Sequence, residues 1–248
     1  MGIATLFGKP CDGKRTLLIA EAGINHSRPK QHRRMAAAKA IVSQAKEAGA
    51  DAVKFQLFMP KEPLFCPLPG DESRWKRWNK SIMHPARWQF VVDHGRELGI
   101  PVFFSVFQHG AIDLCRKLGV ETWKVASRAA KTFPYDSVSG PFIVSGGLGW
   151  PEKRPDNALF LQCKTQYPAP LADCWWREPG TDGISDHSGK MWPSIDAIVR
   201  GAKLIELHFY SGRGIQGRGR PDFSSSIKAH EFKRIGWCRD DVAAMRQN

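Results

Sequence analysis

One punctuation recurs along the chain and limits its fold more than any other feature: a helical pattern ends in glycine, and a β-branched or apolar run follows almost at once. It appears as KEAGADAVKFQLF (46–58), RELGIPVFFSVF (96–107), RKLGVETWKVAS (116–127) and VRGAKLIELHF (199–209). Glycine just past a helix end takes a positive φ without steric cost, so each instance marks a short helix-to-strand loop. Ahead of three of them the apolar residues are spaced for a helix: Met35, Ala38, Ile41, Val42 and Ala45; Trp88, Val91, Val92 and Leu98; Ile195, Ile198, Val199 and Ala202. The repeating unit is helix, glycine, strand.

Four further runs read as strands: LLIAEAG (17–23), PFIVSGG (141–147), ALFLQC (158–163) and GISDH (183–187). Strands that alternate with helices are joined by right-handed parallel crossovers, and strands apolar on both faces belong to a sheet covered by helices. Eight such units in 248 residues predict an α/β fold, a closed (β/α)8 TIM barrel, as one domain over 1–248 with an N-terminal extension over 1–16. An open doubly wound sheet is the alternative, because 148–157 and 168–182 are rich in Pro, Gly and charge and leave little room for full helices. The segment 59–84 reads as the longest irregular stretch, a solvated loop or a lid on the active face. Phe232, Ile235, Val242 and Met245 are spaced for a closing helix over about 228–246.

Composition narrows the classes of function. With 42% hydrophobic and 25% charged residues the chain is an ordinary globular one, neither disordered nor fibrous. No run approaches the roughly 20 apolar residues of a membrane span, and no signal peptide is expected. The six cysteines form no CxxC pair, which points to a reducing, cytoplasmic setting. A net charge of +13 calls for an anionic partner, be it a phosphate ester, a nucleic acid or a membrane surface.

Parallel barrels take their active-site groups from the C-terminal strand ends and the loops just beyond. Those ends offer Glu21, Asn25 and His26; Lys54 and Gln56; Ser105; Lys124 and Ser127; Ser145; Gln162 to Tyr167; Ser185, Asp186 and His187; Glu206 and His208. Residues two apart on a strand face the same way, which pairs Lys54 with Gln56, Ser185 with His187 and Glu206 with His208. A lysine inside an apolar strand is costly unless it meets an anion, so Lys54 and Lys124, with serines on the same rim, suggest a phosphate or carboxylate pocket. A private ion pair with a neighbouring Glu is the alternative for each. His187 and His208, on adjacent strand ends, are placed to share one divalent metal with open positions, a set that suits Mn, Zn or Fe(II) and polarises a carbonyl. The basic runs SRPKQHRR (27–34) and GRGIQGRGR (212–220) are either phosphate-binding or solvated, and Asp222 could return a carboxylate to the site. Neither run interleaves aromatic residues regularly, which argues against single-stranded nucleic acid.

Taken together, IAEAGINH (19–26), AKEAGADAVKFQLF (45–58), WKVAS (123–127), QYPAPL (166–171), ISDHSG (184–189) and GAKLIELHF (201–209) resemble the N-acetylneuraminate (sialic acid) synthase family, from about residue 17 to 235. The resemblance implies a (β/α)8 barrel that condenses phosphoenolpyruvate with an open-chain aldehyde sugar such as N-acetylmannosamine and releases phosphate. It implies His187 and His208 as ligands of a divalent metal, manganese first and magnesium, cobalt or zinc after it. Lys54, Lys124, Ser127, Ser145 and Ser185 would contact phosphoenolpyruvate, Glu21 and Glu206 would lie near the acceptor, and Gln56, Ser105, Tyr167 and Asp222 would complete the pocket. A homodimer is compatible with this reading.

Three departures from the family pattern stand out. Ala129 occupies a position where members commonly carry an acid, the loop after IELHF is longer and richer in arginine, and the chain is expected to comprise the barrel without the small C-terminal antifreeze-like domain. Two other functions fit the residues taken alone: a metal-dependent isomerase, aldolase or hydrolase on the same barrel, or a non-catalytic basic protein that binds nucleic acid.

Overall fold

The computed structural model describes residues 3–27, 30–210 and 222–246. Eight parallel strands follow one another around a ring: β1 (Leu17–Gly23), β2 (Ala52–Leu57), β3 (Val102–Val106), β4 (Trp123–Val125), β5 (Phe142–Ser145), β6 (Ala158–Cys163), β7 (Gly183–Asp186) and β8 (Leu204–Tyr210). β8 pairs with both β7 and β1, so the sheet closes and the open alternative is excluded. β1, β3, β4, β5 and β7 are buried along their whole length, as strands covered on one side by helices and on the other by the barrel interior must be. Their apolar side chains merge into one continuous core.

The helices are α1 (Arg34–Glu47), α2 (Asp71–Asn79), α3 (Pro85–Glu97), α4 (His109–Lys117), α5 (Trp192–Val199) and α6 (Ala229–Met245). α1 buries Ala37, Ala38, Ile41, Val42 and Ala45, the stripe expected from spacing. α3 begins with Pro85, whose missing N–H costs nothing in a first turn, and the His84 side chain accepts the Ala86 N–H at 3.3 Å. Gly49, Gly99, Gly119 and Gly201, the four punctuating glycines, have φ of 85°, 63°, 66° and 89°. Each turns the chain sharply from a helix end into β2, β3, β4 or β8.

Some expectations change. The segment 59–84 is not irregular throughout, because it carries α2 at its centre. Gly70, at φ 83°, starts this helix, Asp71 and Glu72 complement the positive end of its dipole, and Trp78 stacks on Phe58 at 5.0 Å. Nine residues give too little periodicity to betray such a helix. Val199 and Met245 belong to apolar patterns yet are exposed; each is the last residue of its helix. Between 146 and 191 no α-helix forms, and the helical content is one turn of 3-10 helix at Leu171–Asp173.

Residues preceding β1 form a hairpin, Thr5–Leu6 paired with Lys9–Pro10, against the N-terminal end of the barrel. Leu6 and Cys11 are buried there, and the Phe7 ring lies 5.1 Å from Phe103 at the start of β3. Asp51, just ahead of β2, binds this end together: it accepts the Leu18 N–H at 2.9 Å, Arg15 at 3.0 Å and Arg239 of α6 at 2.9 Å, and pairs with Lys9. None of the six cysteines is in a disulfide, and no helix among the described residues is long and apolar enough to cross a membrane.

Candidate active site

The C-terminal ends of the strands open into a cavity of about 590 Å³. Register explains why polar groups gather in it. Glu21 of β1 stands opposite Lys54 of β2, Gln56 opposite Ser105 of β3, Ser105 opposite Lys124 of β4, Ser185 of β7 opposite Glu206 of β8, and His208 opposite Glu21. One inward-facing belt therefore runs around the barrel. Of the strand-end candidates, Glu21, Lys54, Gln56, Ser105, Lys124, Ser127, Ser145, Tyr167, Ser185, His187, Glu206 and His208 line this cavity, as does Asp222; Asn25, His26 and Asp186 do not, His26 lying against the Ser81 carbonyl at 2.8 Å and Asp186 accepting from Ser188. The described part of the basic run 27–34 does not line it, and 212–220 lies outside the described residues.

Two lysines and two glutamates form the buried floor. Lys54 Nζ donates to Ser105 Oγ at 2.7 Å, pairs with Glu21 Oε2 and lies 3.6 Å from Glu206 Oε2. Lys124 Nζ donates to Ser145 Oγ at 2.8 Å and to the Val125 carbonyl at 3.2 Å, and lies 3.7 Å from Glu206 Oε1. Ser185 Oγ donates to Glu206 Oε1 at 2.9 Å. The lysines are thus neither free nor privately paired, because Glu206 is shared between them. Burial alone would favour a neutral Lys54, but Glu206 and Glu21 outweigh it and raise its pKa. For Lys124 burial wins, and its pKa falls.

The glutamates separate in the same way. Burial drives Glu21 up to about 7 despite Lys54, whereas Lys124 and Lys54 overcome burial at Glu206 and hold it well below the usual carboxylate range. Two carboxylates pushed apart by their surroundings are suited to different protonation states at neutral pH. Glu21 Oε2 and Glu206 Oε2 carry ion pairs but no well-aligned hydrogen bond.

The imidazoles of His187 and His208 lie 5.2 Å apart between ring centroids, tilted by 53°. His187 Nδ1 is 2.7 Å from the Lys164 carbonyl, an oxygen that can only accept, so the proton sits on Nδ1. Nε2 then faces the cavity with its lone pair and accepts from the Tyr167 hydroxyl at 3.2 Å. The Tyr167 ring stacks on His187 at 4.2 Å. Burial pushes His208 down to about 4, which keeps it neutral, while at His187 the Cys163 thiol and the Lys164 carbonyl outweigh burial and raise the pKa. A divalent cation needs an imidazole nitrogen with a free lone pair: His208 is held neutral, and the Lys164 carbonyl fixes the His187 Nδ1 proton and turns Nε2 to the cavity, so the donor chemistry of this pair fits a metal. No group of three or more His, Cys, Asp or Glu gathers for a metal among the described residues.

Gly23 shapes the space beside this floor. A Cβ there would lie 3.4 Å from Glu21 Oε1, 3.8 Å from Asp222 Oδ2 and 3.9 Å from Gln56 Nε2, so its absence leaves room among three polar groups. Ser127 Oγ accepts the Gly147 N–H at 3.1 Å and holds the loop after β5. Sequence reasoning missed Arg74, Arg77 and Trp78 of α2, and Arg128, all of which line the cavity, whereas Cys163 and Thr165, also in the lining, fall within the stretch expected at the end of β6. Arg128 follows directly on Ser127 and was within reach of the strand-end rule. The α2 residues carried no such signal.

Comparison with known proteins agrees with this geometry. A sequence model of the NeuB family matches residues 41–245. The N,N'-diacetyllegionaminic acid synthase of Campylobacter jejuni is 27% identical over 90% of this chain and 75% of its own length. The spore coat polysaccharide biosynthesis protein SpsE of Bacillus subtilis is 29% identical over 88% of this chain and 65% of its own. Among solved structures, the sialic acid synthetase of Leptospira borgpetersenii superposes with a TM-score of 0.73 at 18% identity, over 94% of this chain and 85% of that one, a likeness of fold. Matched by the family model over most of its length, and built on the same barrel, the chain belongs to the NeuB family.

Proposed function

We propose that the protein is a synthase that condenses phosphoenolpyruvate with an open-chain aldehyde sugar, giving a 2-keto sugar acid and phosphate. Family membership and the synthase named among its relatives support the class of reaction. The observation that carries the reading is the belt itself: two buried lysines, three buried serines, two buried glutamates and two imidazoles around one cavity.

In this reading Lys54 and Lys124, with Ser105, Ser145 and Ser185, take the carboxylate and phosphate of phosphoenolpyruvate. Both lysines already face carboxylates, so an incoming anion raises Glu21 further and a proton is taken up with it. Gln56, Tyr167 and Asp222 orient the acceptor in the space that Gly23 leaves open. C3 of the enol forms the new bond to the aldehyde carbon, and protonated Glu21 supplies the proton that the aldehyde oxygen takes. Water adds at C2 and gives one proton back to the Glu21 carboxylate; the C2–O bond to phosphate then breaks as the new C2 hydroxyl becomes the keto group, its proton leaving with the phosphate. His187 and His208 would hold the divalent cation, manganese first, which when bound supplies Lewis-acid polarisation of an oxygen.

The assay is phosphate release from phosphoenolpyruvate with Mn(II) and a panel of aldehyde sugars that includes N-acetylmannosamine, with product mass read in parallel. Release that depends on an aldehyde, one phosphate per keto acid, is expected. Release without acceptor, or none with any aldehyde, overturns the reading. His208→Ala is expected to remove bound Mn(II) measured by elemental analysis after dialysis, and unchanged metal content would take His208 out of the site.

A further inference from the structure

The floor of the cavity is close to balanced in charge, two lysines against two glutamates, but its outer wall is not. Arg74, Arg77 and Arg128 line that wall, and Asp71 is the acid that faces them. Arg128 is held for binding: its guanidinium bridges the Asp71 carboxylate, donates to the Cys66 carbonyl at 2.8 Å and lies 5.2 Å over the Trp78 ring. Its Nε is buried without a hydrogen-bond partner. Arg74 and Arg77 stand one turn apart on α2, exposed on the solvent side, and only Arg74 shares Asp71, at 3.4 Å. Guanidinium groups gathered at the open side of a cavity match the planar, bidentate recognition of a phosphate monoester.

We propose that Arg74, Arg77 and Arg128 bind a phosphate monoester that the acceptor carries at the end remote from its aldehyde, so that the protein selects a phosphorylated sugar. This rests on the condensation reading for the identity of the aldehyde, but the anion site stands on the arginines alone. The reactive groups lie on the buried floor and the arginines on the exposed wall of the same cavity, so one extended ligand would span both. Lys54 and Lys124 serve the phosphoenolpyruvate end, which leaves the outer cluster without another anion to meet.

The test compares N-acetylmannosamine with its 6-phosphate, in turnover and by calorimetric titration, for the wild type and for Arg74→Gln/Arg77→Gln. The phosphorylated sugar is expected to be preferred in kcat/KM by at least about tenfold, the size of one charge-assisted hydrogen bond. In the variant the preference collapses toward unity, with the loss in acceptor KM rather than in phosphoenolpyruvate KM. Equal use of the two sugars by the wild type overturns the proposal. A variant whose defect falls on phosphoenolpyruvate instead also overturns it, and assigns the cluster to that substrate. If no acceptor turns over, the condensation reading fails by itself: arginine-dependent binding of the 6-phosphate then still supports the anion site, and its absence overturns that as well.

Discussion

Glu21 and Glu206 are the same side chain at the same depth, and their neighbours make them opposites. Glu206 lies within 3.7 Å of both lysines and accepts from Ser185, while Glu21 has Lys54 as its close cation. A carboxyl whose pKa rises on folding stabilises the fold below its ordinary value and loses that contribution as pH climbs through the folded value. For Glu21 that window runs from the usual carboxylate range to about 7. His208, pushed down to about 4 by burial, acts in the opposite sense and costs stability as pH falls, so the variant must be compared with the wild type at each pH. Glu21→Gln is expected to gain on the wild type by on the order of 3 kcal/mol between pH 5 and pH 8 in urea unfolding. A constant difference across that range would show that Glu21 is not the shifted group. The identity of these side chains was legible in the sequence, because alternation along β2 and β8 placed them on one face. Their protonation was not, because it depends on cross-strand register, which no single strand reveals.

At the scale of elements, the seam between β7 and β8 brings His187 and His208 to one place. Gly183 makes that seam possible. A Cβ there would stand 1.9 Å from the Leu204 carbonyl oxygen and 3.0 Å from its carbon, both backbone atoms of the paired strand. Gly183→Ala is therefore expected to destabilise the protein by more than about 3 kcal/mol and to lower its yield of folded material. A denaturation midpoint within about 1 kcal/mol of the wild type would mean that the seam can open at little cost. The run GISDH announced a strand, yet nothing in it marked this glycine as a point of contact. The same limit explains α2. Its position depends on Asp71 meeting Arg128 across 57 residues, a tertiary contact that short local periodicity cannot express. The four glycines at helix ends were legible for the converse reason, since each answers a local need for positive φ.

Across the whole molecule, the site and the stability of the barrel sit at opposite ends. Asp51 anchors the N-terminal end, where it joins the hairpin, β1 and α6 through Lys9, Arg15, the Leu18 amide and Arg239. Burial would raise its pKa, but Arg239, Lys9, the Leu18 amide and Arg15 outweigh burial and hold it below the ordinary value. Its contribution is accordingly present above the ordinary carboxylate range and lost as pH falls through the depressed value. Asp51→Asn is expected to cost about 3 kcal/mol at pH 7, because it removes the buried carboxylate that Arg239, Arg15 and Lys9 share and leaves the buried Arg239 only the half-exposed Asp240. The gap to the wild type should begin to narrow below about pH 4 and go on narrowing as pH falls toward the depressed value; a gap that stays constant into acid would exclude the charge as its source. That separation leaves the C-terminal end of the barrel to its charged belt. Most of the net charge of +13 remains outside the belt, and part of the surplus is the arginine wall that composition alone could not place.

The central claim is that this belt binds phosphoenolpyruvate beside a metal. A crystal of the protein soaked with phosphoenolpyruvate and Mn(II), with anomalous data collected at the manganese edge, tests it most directly. The expected result is an anomalous peak between His187 and His208, with the carboxylate and phosphate of phosphoenolpyruvate at Lys54, Lys124 and Ser145. Manganese bound elsewhere, or phosphoenolpyruvate absent from the two lysines at saturating concentration, would contradict it.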